Sequence, residues 1–599
     1  MGGARVYRAF SPYPHTALAD VDYAQTADVV YTVHLDYPEY KATRAAHTSW
    51  TNIPVTYTPT VPAPATPTGV ATQPITAGAQ TVVYRYKITA ISDASGQESR
   101  ASAVLSLTND LTLHGNKNVI TLPALAGVVS RHVIYKEQAQ SGIYGYLGMT
   151  ETTSFTDGTP QIQPVLSDTP PTANNPFSGA GMYPSTVTLH AQRKYLGRTR
   201  NVPNGVWGTQ VTDFENMDVS RPSKPDDALS FALVGDRVNS VNQMASAGTE
   251  LIVISSNAIF SVSGGGEGAP LTPSDIQPKR QNSRSGGRLN PISLDDVIFY
   301  PANKGTSIRT LGFRYEIDGY QSNNITIFSP HFFLGFSIVD WAYVEEPYSA
   351  IFAVRSDGAL LCFTWEAEQQ VWGWTLLETN GKVKNVASIT EGGYDRLYAL
   401  IERTINGVVR KFHERLALPH GTDITQACHL DCSVTQVYAP ARNVISGLDH
   451  LEGATVSAHY DGYTTAGLVV VNGRVTLPNG YAATTTTVGL PYVGEVETLP
   501  MILSSREVGS MHTYMQNIGR VVVRAVDTRG LQAGITGMPL ETIDDRTGGE
   551  AGLADVKARD YEVAPAGHWV AGVTLTLRQE LPLPAHITGL FVDPKVSKR

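Results

Sequence analysis

Short runs in which apolar and polar residues alternate, each closed by a turn, recur along the 599-residue chain. Alternation turns one face of an extended segment to a core and the other to water, so these runs predict strands. The start is less uniform. Leu18-Ala-Asp-Val-Asp-Tyr-Ala-Gln leans towards helix, while Val29-Val-Tyr-Thr-Val-His-Leu and the alternating Val55-Thr-Tyr-Thr read as strands. Next comes Pro59-Thr-Val-Pro-Ala-Pro-Ala-Thr-Pro-Thr-Gly, a stiff extended connector. Beyond it, residues 81–91 alternate throughout, and further strands are predicted at 104–107, 118–122, 132–135, 144–149 and 154–156. Short strands at this spacing predict an antiparallel sandwich of roughly 90–100 residues. A second Pro/Thr-rich stretch at 160–176 leads out of it.

From 183 to 416 apolar strands recur in sets: 187–190, 251–254 with 259–262, 297–300 with 307–311, then 350–355, 360–365, 371–377, 386–389, 396–401 and 408–413. Ser356-Asp-Gly, Thr379-Asn-Gly and Ile405-Asn-Gly are hairpin turns. Units of roughly 40–50 residues that each end on a strand pair predict blades of a β-propeller. Residues 15–58 would close its ring, which makes the sandwich an insertion between blades. Strands continue from 428 to the end as one or two further β-domains. The predicted fold is therefore all-β: a degenerate β-propeller with an inserted sandwich and C-terminal β-domains. The divisions are 1–58, 59–180, 181–427 and 428–599.

Composition agrees with this. Only 17% of residues are charged, Gly (54) and Pro (36) are abundant, and Tyr (28) outnumbers Phe (16) and Trp (7), which excludes a coiled coil, a helix bundle and a disordered chain. A net charge of -9 without a basic block disfavours sequence-specific DNA binding. No run of apolar residues is long enough for a membrane-spanning helix. The N-terminal stretch lacks the apolar segment of a secretion signal, and three cysteines make no disulfide framework, so folding in a reducing cytoplasm is expected.

The chain offers little chemistry. Gly264-Gly-Gly-Glu-Gly-Ala runs into Pro270, so it opens no helix that could hold a pyrophosphate and reads as a hairpin loop. Asn380-Gly-Lys-Val lacks the remaining elements of a phosphate loop. Cys428, Cys432 and His420 invite a zinc reading, but strand spacing would hold the two cysteines roughly 13 Å apart. Asp213 with Glu215, on one strand face, and Asp226 with Asp227, in a Pro/Ser-rich loop, are the acidic pairs a glycosidase would need. Ser356-Asp-Gly faintly resembles a sialidase Asp-box, with its aromatic residues too late. His331 and His413 are scattered, and Asn324-Ile-Thr is a nominal glycosylation sequon. Trp341, Trp365, Trp372 and Trp374 read as blade-core packing, with a carbohydrate platform as the alternative. No catalytic, cofactor or metal residue is assigned, and no enzyme activity is expected.

Two resemblances go further. Tyr84-Arg-Tyr-Lys-Ile-Thr-Ala, the Gly96-Gln-Glu-Ser turn, Val133-Ile-Tyr-Lys and Thr153-Ser-Phe-Thr-Asp resemble a fibronectin type III-like, immunoglobulin-like domain. A longer series begins at Asp20-Val-Asp-Tyr-Ala-Gln-Thr-Ala-Asp-Val-Val-Tyr-Thr-Val-His-Leu-Asp-Tyr-Pro and continues through Asn204-Gly-Val-Trp-Gly-Thr and Asp213-Phe-Glu-Asn. Leu251-Ile-Val-Ile-Ser-Ser-Asn-Ala-Ile-Phe-Ser-Val-Ser-Gly, Leu271-Thr-Pro-Ser-Asp-Ile, Glu316-Ile-Asp-Gly-Tyr and Glu368-Gln-Gln-Val-Trp-Gly-Trp follow in order. Ser446-Gly-Leu-Asp-His-Leu-Glu-Gly-Ala-Thr-Val, Asp461-Gly and Gly489-Leu-Pro-Tyr complete it. Over about 15–58 and 183–599 this series resembles the tail nozzle proteins of short-tailed bacteriophages, the tail tubular protein B family.

The resemblance implies a structural virion protein, assembled in the host cytoplasm into a homohexameric tube. Such a tube extends the portal and its adaptor ring, passes viral DNA without sequence-specific binding, and anchors tail fibres or tailspikes. An acidic lumen that repels phosphate suits that role. The alternative is a receptor- or glycan-binding tail module without a conduit role, and a glycoside hydrolase comes third.

Overall fold

A computed structural model describes residues 7–418, 428–501, 504–505, 509–510, 514–543 and 557–597, leaving out 95, 159, 221–222, 236–239, 267 and 303. The chain divides into two compact units, Gly2–Phe333 and Leu334–Arg599. The dividing point falls inside the 181–427 stretch. Among the described residues there is no α-helix, only short 3₁₀ turns, and no helix long and apolar enough to cross a membrane.

The first unit opens with β1 (Asp22–Thr26), β2 (Val29–His34), β3 (Tyr37–Ala46) and β4 (Ser49–Pro54), an antiparallel meander in that order. The helix expected over Leu18–Gln25 is corrected here. Only Leu18–Asp20 forms a 3₁₀ turn, and β1 pairs with β2 from Asp22↔Val33 to Thr26↔Val29. Cross-strand pairing with an apolar neighbour outweighs the weak local preference of Ala, Asp and Gln for helix.

Seven strands come next: β5 (Thr68–Thr72), β6 (Val82–Ile91), β7 (Leu105–Asn109), β8 (Lys117–Thr121), β9 (Arg131–Glu137), β10 (Tyr144–Thr150) and β11 (Ser154–Asp157). They form two sheets, ordered β10-β9-β6-β7 and β11-β8-β5. Between the sheets lie Tyr86, Ile88, Leu107, Ile120, Leu122, Ile134 and Leu147. β5 begins inside what reads as a Pro/Thr connector, because pairing with β8 supplies the order that its own residues do not.

Three more meanders complete this unit. They are β12 (Thr186–His190), β13 (Arg193–Gly197), β14 (Gly205–Gly208) and β15 (Leu229–Ala232); β16 (Val241–Ala247), β17 (Glu250–Ser255), β18 (Ile259–Ser263) and β19 (Gln277–Asn282); and β20 (Ile292–Leu294), β21 (Val297–Pro301), β22 (Ile308–Arg314) and β23 (Gly319–Asn324). The first strand of each meander abuts the first strand of the next: β1 on β12, β12 on β16, β16 on β20. Neighbours also share a core. Val33 meets Val187 and Leu196, Val206 meets Met244 and Val253, and Ile254 meets Ile298 and Leu311. Each such aliphatic side chain contributes roughly 1.5–3 kcal/mol by leaving water. Strands buried on both faces read as unbroken apolar runs, which is why Leu251-Ile-Val-Ile stands out, whereas the outermost β19 is polar and exposed. This is propeller-like stacking, with the last strands β4, β15 and β19 the most exposed of their meanders.

The second unit repeats the pattern in β24 (Ile338–Val344), β25 (Ala350–Arg355), β26 (Leu360–Glu366) and β27 (Val371–Leu377), then in the three-stranded β28 (Lys382–Glu391), β29 (Tyr394–Ile405) and β30 (Val408–Arg415). β24 abuts β28, and Val344, Phe352, Val386 and Leu397 share one core. The β29–β30 hairpin turns on Asn406 and Gly407, both at positive φ, the conformation a two-residue type I′ turn demands. The remaining strands build two further cores, one around Ile445, Leu451, Val456 and Val488, the other around Ile518, Val523, Val573 and Leu575.

Candidate functional site

Polar groups concentrate where the first meander, the connector behind it and the turn after β14 converge. On β3, alternation puts Glu39 and Lys41 on one face, and register sets Lys41 opposite Tyr31 of β2. Residues 55–60 bring Tyr57, Thr58 and Thr60, β13 brings Lys194, and the turn brings Asp213 and Glu215. Lys194 and Glu39 form an ion pair at 2.5 Å with both side chains almost wholly out of water. Tyr57 donates its hydroxyl to the other Glu39 oxygen, and Lys194 Nζ sits 4.1 Å from the Tyr31 ring centroid and 5.4 Å from that of Tyr57. One carboxylate and two ring faces thus stand in for water around the ammonium.

An outer layer covers this pair. Glu215 Oε1 takes Lys41 Nζ at 2.5 Å and the Tyr31 hydroxyl at 3.1 Å. Asp213 Oδ2 accepts the Thr60 N–H and hydroxyl, and its Oδ1 accepts the Glu215 N–H. Between these groups lies a cavity of about 390 Å³, lined by Tyr31, Lys41, Thr58, Thr60, Asp213 and Glu215 among others. Burial pushes the Lys194 ammonium below its ordinary value, with Glu39 opposing. Burial first, and the neighbouring carboxylates second, push the Tyr31 and Tyr57 phenols up.

The walls are polar and their groups already satisfy one another, unlike the mostly apolar lining of small-molecule sites. The cluster works as a lock between the first meander and the second. Asp213 and Glu215 are thus brought together, but in a turn rather than on a strand face as expected from their alternation. The turn is fixed by the Asp213 side chain bonding the backbone two residues on. Asp226 and Asp227 lie apart from this cavity. Asp227 accepts bonds from Ser220 and the Lys224 N–H, and Arg193 donates to the carbonyls of both.

The other candidates take structural places. The glycine stretch opens the connection from β18 to β19, with the Gly265 N–H on Asp275. Asn380 offers its carbonyl to the buried Arg403. Asp357 holds Arg355 beside the β25–β26 turn. Asn324 caps its own turn by accepting the Thr326 N–H and hydroxyl. His331 lies in a 3₁₀ turn against Phe332, and His413 is exposed on β30. Only Cys432 of the zinc reading lies in a strand; Cys428 precedes it, so the strand distance between them does not apply, and His420 lies outside the described residues. Burial pushes both thiols up to about 12, away from the thiolate a metal needs. Trp341 and Trp374 are buried, whereas Trp372 is 47% exposed and faces Trp365 at 5.7 Å across β26 and β27.

Sequence reasoning missed Glu39, Tyr57 and Lys194. A lysine beside an arginine at a strand start carries no signal that it is buried, because its partner lies 155 residues away.

No family model matches the chain, and no curated protein matches it. Among solved structures, the WD40 repeats of RRP9 align over 64% of this chain and 91% of that one, at 10% identity and a TM-score of 0.26. A score that low carries no argument about fold.

Proposed function

We propose that this chain is a structural virion protein, the nozzle of a short-tailed phage, forming a homohexameric tube on the adaptor ring. The observation that supports it best is apolar surface left in water at the two ends of the β22–β23 hairpin. Phe313, Tyr315 and Ile317 lie at the turn and Ile327 and Phe328 beyond β23, with Tyr315 90% and Phe328 89% exposed. Each end of the hairpin thus leaves its own set of large apolar side chains in water, and such sets mark association surfaces. Rotational closure with identical copies covers them in every subunit at once. In this reading the meanders close into a propeller, the sandwich is the fibronectin type III-like insertion, and fibres or tailspikes dock on the tube. The net charge of -9 per chain keeps DNA moving through the lumen by repulsion.

Trp372 favours the glycan-binding module as the second reading, since an exposed indole beside another is a stacking platform for a sugar. One experiment separates the two: negative-stain class averages and particle mass of the purified chain mixed with its adaptor ring. Six-fold tubes with a central hole are the expected result. Chains that stay monomeric beside intact rings would sink the conduit reading and send the protein to a glycan screen with Trp372→Ala as the control.

A further inference from the structure

Lys136 on β9 and Asp157 at the end of β11 face each other from the two sheets of the sandwich. Both are buried, with side-chain exposures of 2% and 0%, and Nζ lies 2.7 Å from Oδ2. The carboxyl carbon is one C–O bond beyond that oxygen. The Tyr86 hydroxyl donates to the same Oδ2 at 2.7 Å and is itself held by Asn118 Nδ2 at 2.8 Å, which in turn is fixed by Asn109. Nζ also donates to the Ile162 carbonyl at 3.1 Å and stands 4.9 Å from the Tyr84 ring centroid. Asp157 Oδ1 is buried and has no hydrogen-bond partner among the described residues.

We propose that Lys136 and Asp157 condense into an intramolecular isopeptide bond that ties the two sheets of the sandwich together. The ammonium passes one proton to the carboxylate along their short contact, and the freed Nζ lone pair attacks the carboxyl carbon. In the tetrahedral adduct that proton, held on Oδ2, and a second one from nitrogen pass to Oδ1, which has no hydrogen bond to lose and leaves as water. One C–N bond forms, one C–O bond breaks, and an ammonium and a carboxylate become an amide and a water with no other reactant. Oδ2 remains as the amide oxygen under the Tyr86 hydroxyl, and the one hydrogen left on nitrogen points to the Ile162 carbonyl. Burial holds the reacting groups in hydrogen-bond contact, where effective concentrations are very high. It also depresses the Lys136 ammonium towards the nucleophilic amine. Replacing two buried charges by a neutral amide removes their desolvation penalty. The other deeply buried pair, Lys194 and Glu39, differs at the decisive atom: both Glu39 oxygens are bonded, so it stays ionic.

The test is the intact mass of the denatured full-length chain, followed by a digest. The chain should weigh one water less than its sequence, with the peptides bearing Lys136 and Asp157 joined. Lys136→Arg should restore the full sequence mass. Asp157→Asn should fall one ammonia below its own sequence mass, because an amide carbon expels ammonia. A wild-type chain at full sequence mass, with the two peptides separate, overturns the proposal. So does a missing water that persists in Lys136→Arg, which would instead place a succinimide at Asp157–Gly158.

Discussion

Asp22 links the first meander to the second through its carboxylate, and that link has a calculable pH dependence. Oδ2 accepts the Val187 N–H of β12 at 3.0 Å, and Oδ1 accepts the Tyr23 N–H at 2.8 Å. Thr186 and Asn290 also bond it. These donors favour the charged form, yet burial outweighs them and pushes the carboxyl up to about 6 from an ordinary value near 3.8. A shift of that size makes ionisation costlier in the folded chain by about 3 kcal/mol. Between those two pH values the folded state holds a proton that the unfolded chain has released. Stability therefore falls as pH rises through this window and levels off above it. Asp22→Asn removes the titration while keeping the size of the side chain.

Native-state hydrogen exchange over 186–190, corrected for the intrinsic rate, reads the opening free energy of β12 directly. From pH 4 to pH 7 the wild-type value should drop about 2.4 kcal/mol further than that of the variant, roughly fiftyfold in opening. Other titrating groups cancel in the difference. Parallel curves for the two proteins would refute the reasoning, because they would mean that Asp22 pays no penalty for its charge.

Two further outcomes are expected. Lys194→Met leaves Glu39 buried with a phenol in place of its counter-ion and should cost about 3–5 kcal/mol, whereas Lys194→Met with Glu39→Leu should recover most of that loss in urea unfolding. Gly286→Ala drives a new Cβ into the Cγ2 methyl of Ile254 and should lower stability by about 1–3 kcal/mol, with a smaller loss in an Ile254→Ala background that lacks this methyl.

The inner and middle strands were legible in the sequence because burial on both faces leaves an apolar run, as in Leu251–Ile254 and Ala350-Ile-Phe-Ala-Val, and the Asn406-Gly407 turn announced its hairpin. Gln277–Asn282 was not, since an exposed outer strand takes its order from pairing with β18 and carries no pattern of its own. Thr68–Thr72 hid among prolines for the same reason. At the candidate cluster, Asp213 and Glu215 were visible as an acidic pair, but Lys41 and Tyr31, which bond Glu215, and Thr60, which bonds Asp213, come from segments over 150 residues away. Local sequence cannot show such pairing. Lys136 and Asp157 are hidden in the same way, each looking like an ordinary surface residue of its own strand.

The sandwich placed between β4 and β12 has a consequence for synthesis. Asp22 and Val187 are 165 residues apart, so at ribosomal speed the first meander waits on the order of ten seconds for the neighbour that covers it. The sandwich, complete by Asp157, can fold in that interval. Until then Val33 and its neighbours stay open to any passing strand, so the first meander is sticky for as long as the sandwich is being made. A chaperone that grips nascent β-meanders should find its longest-lived target there.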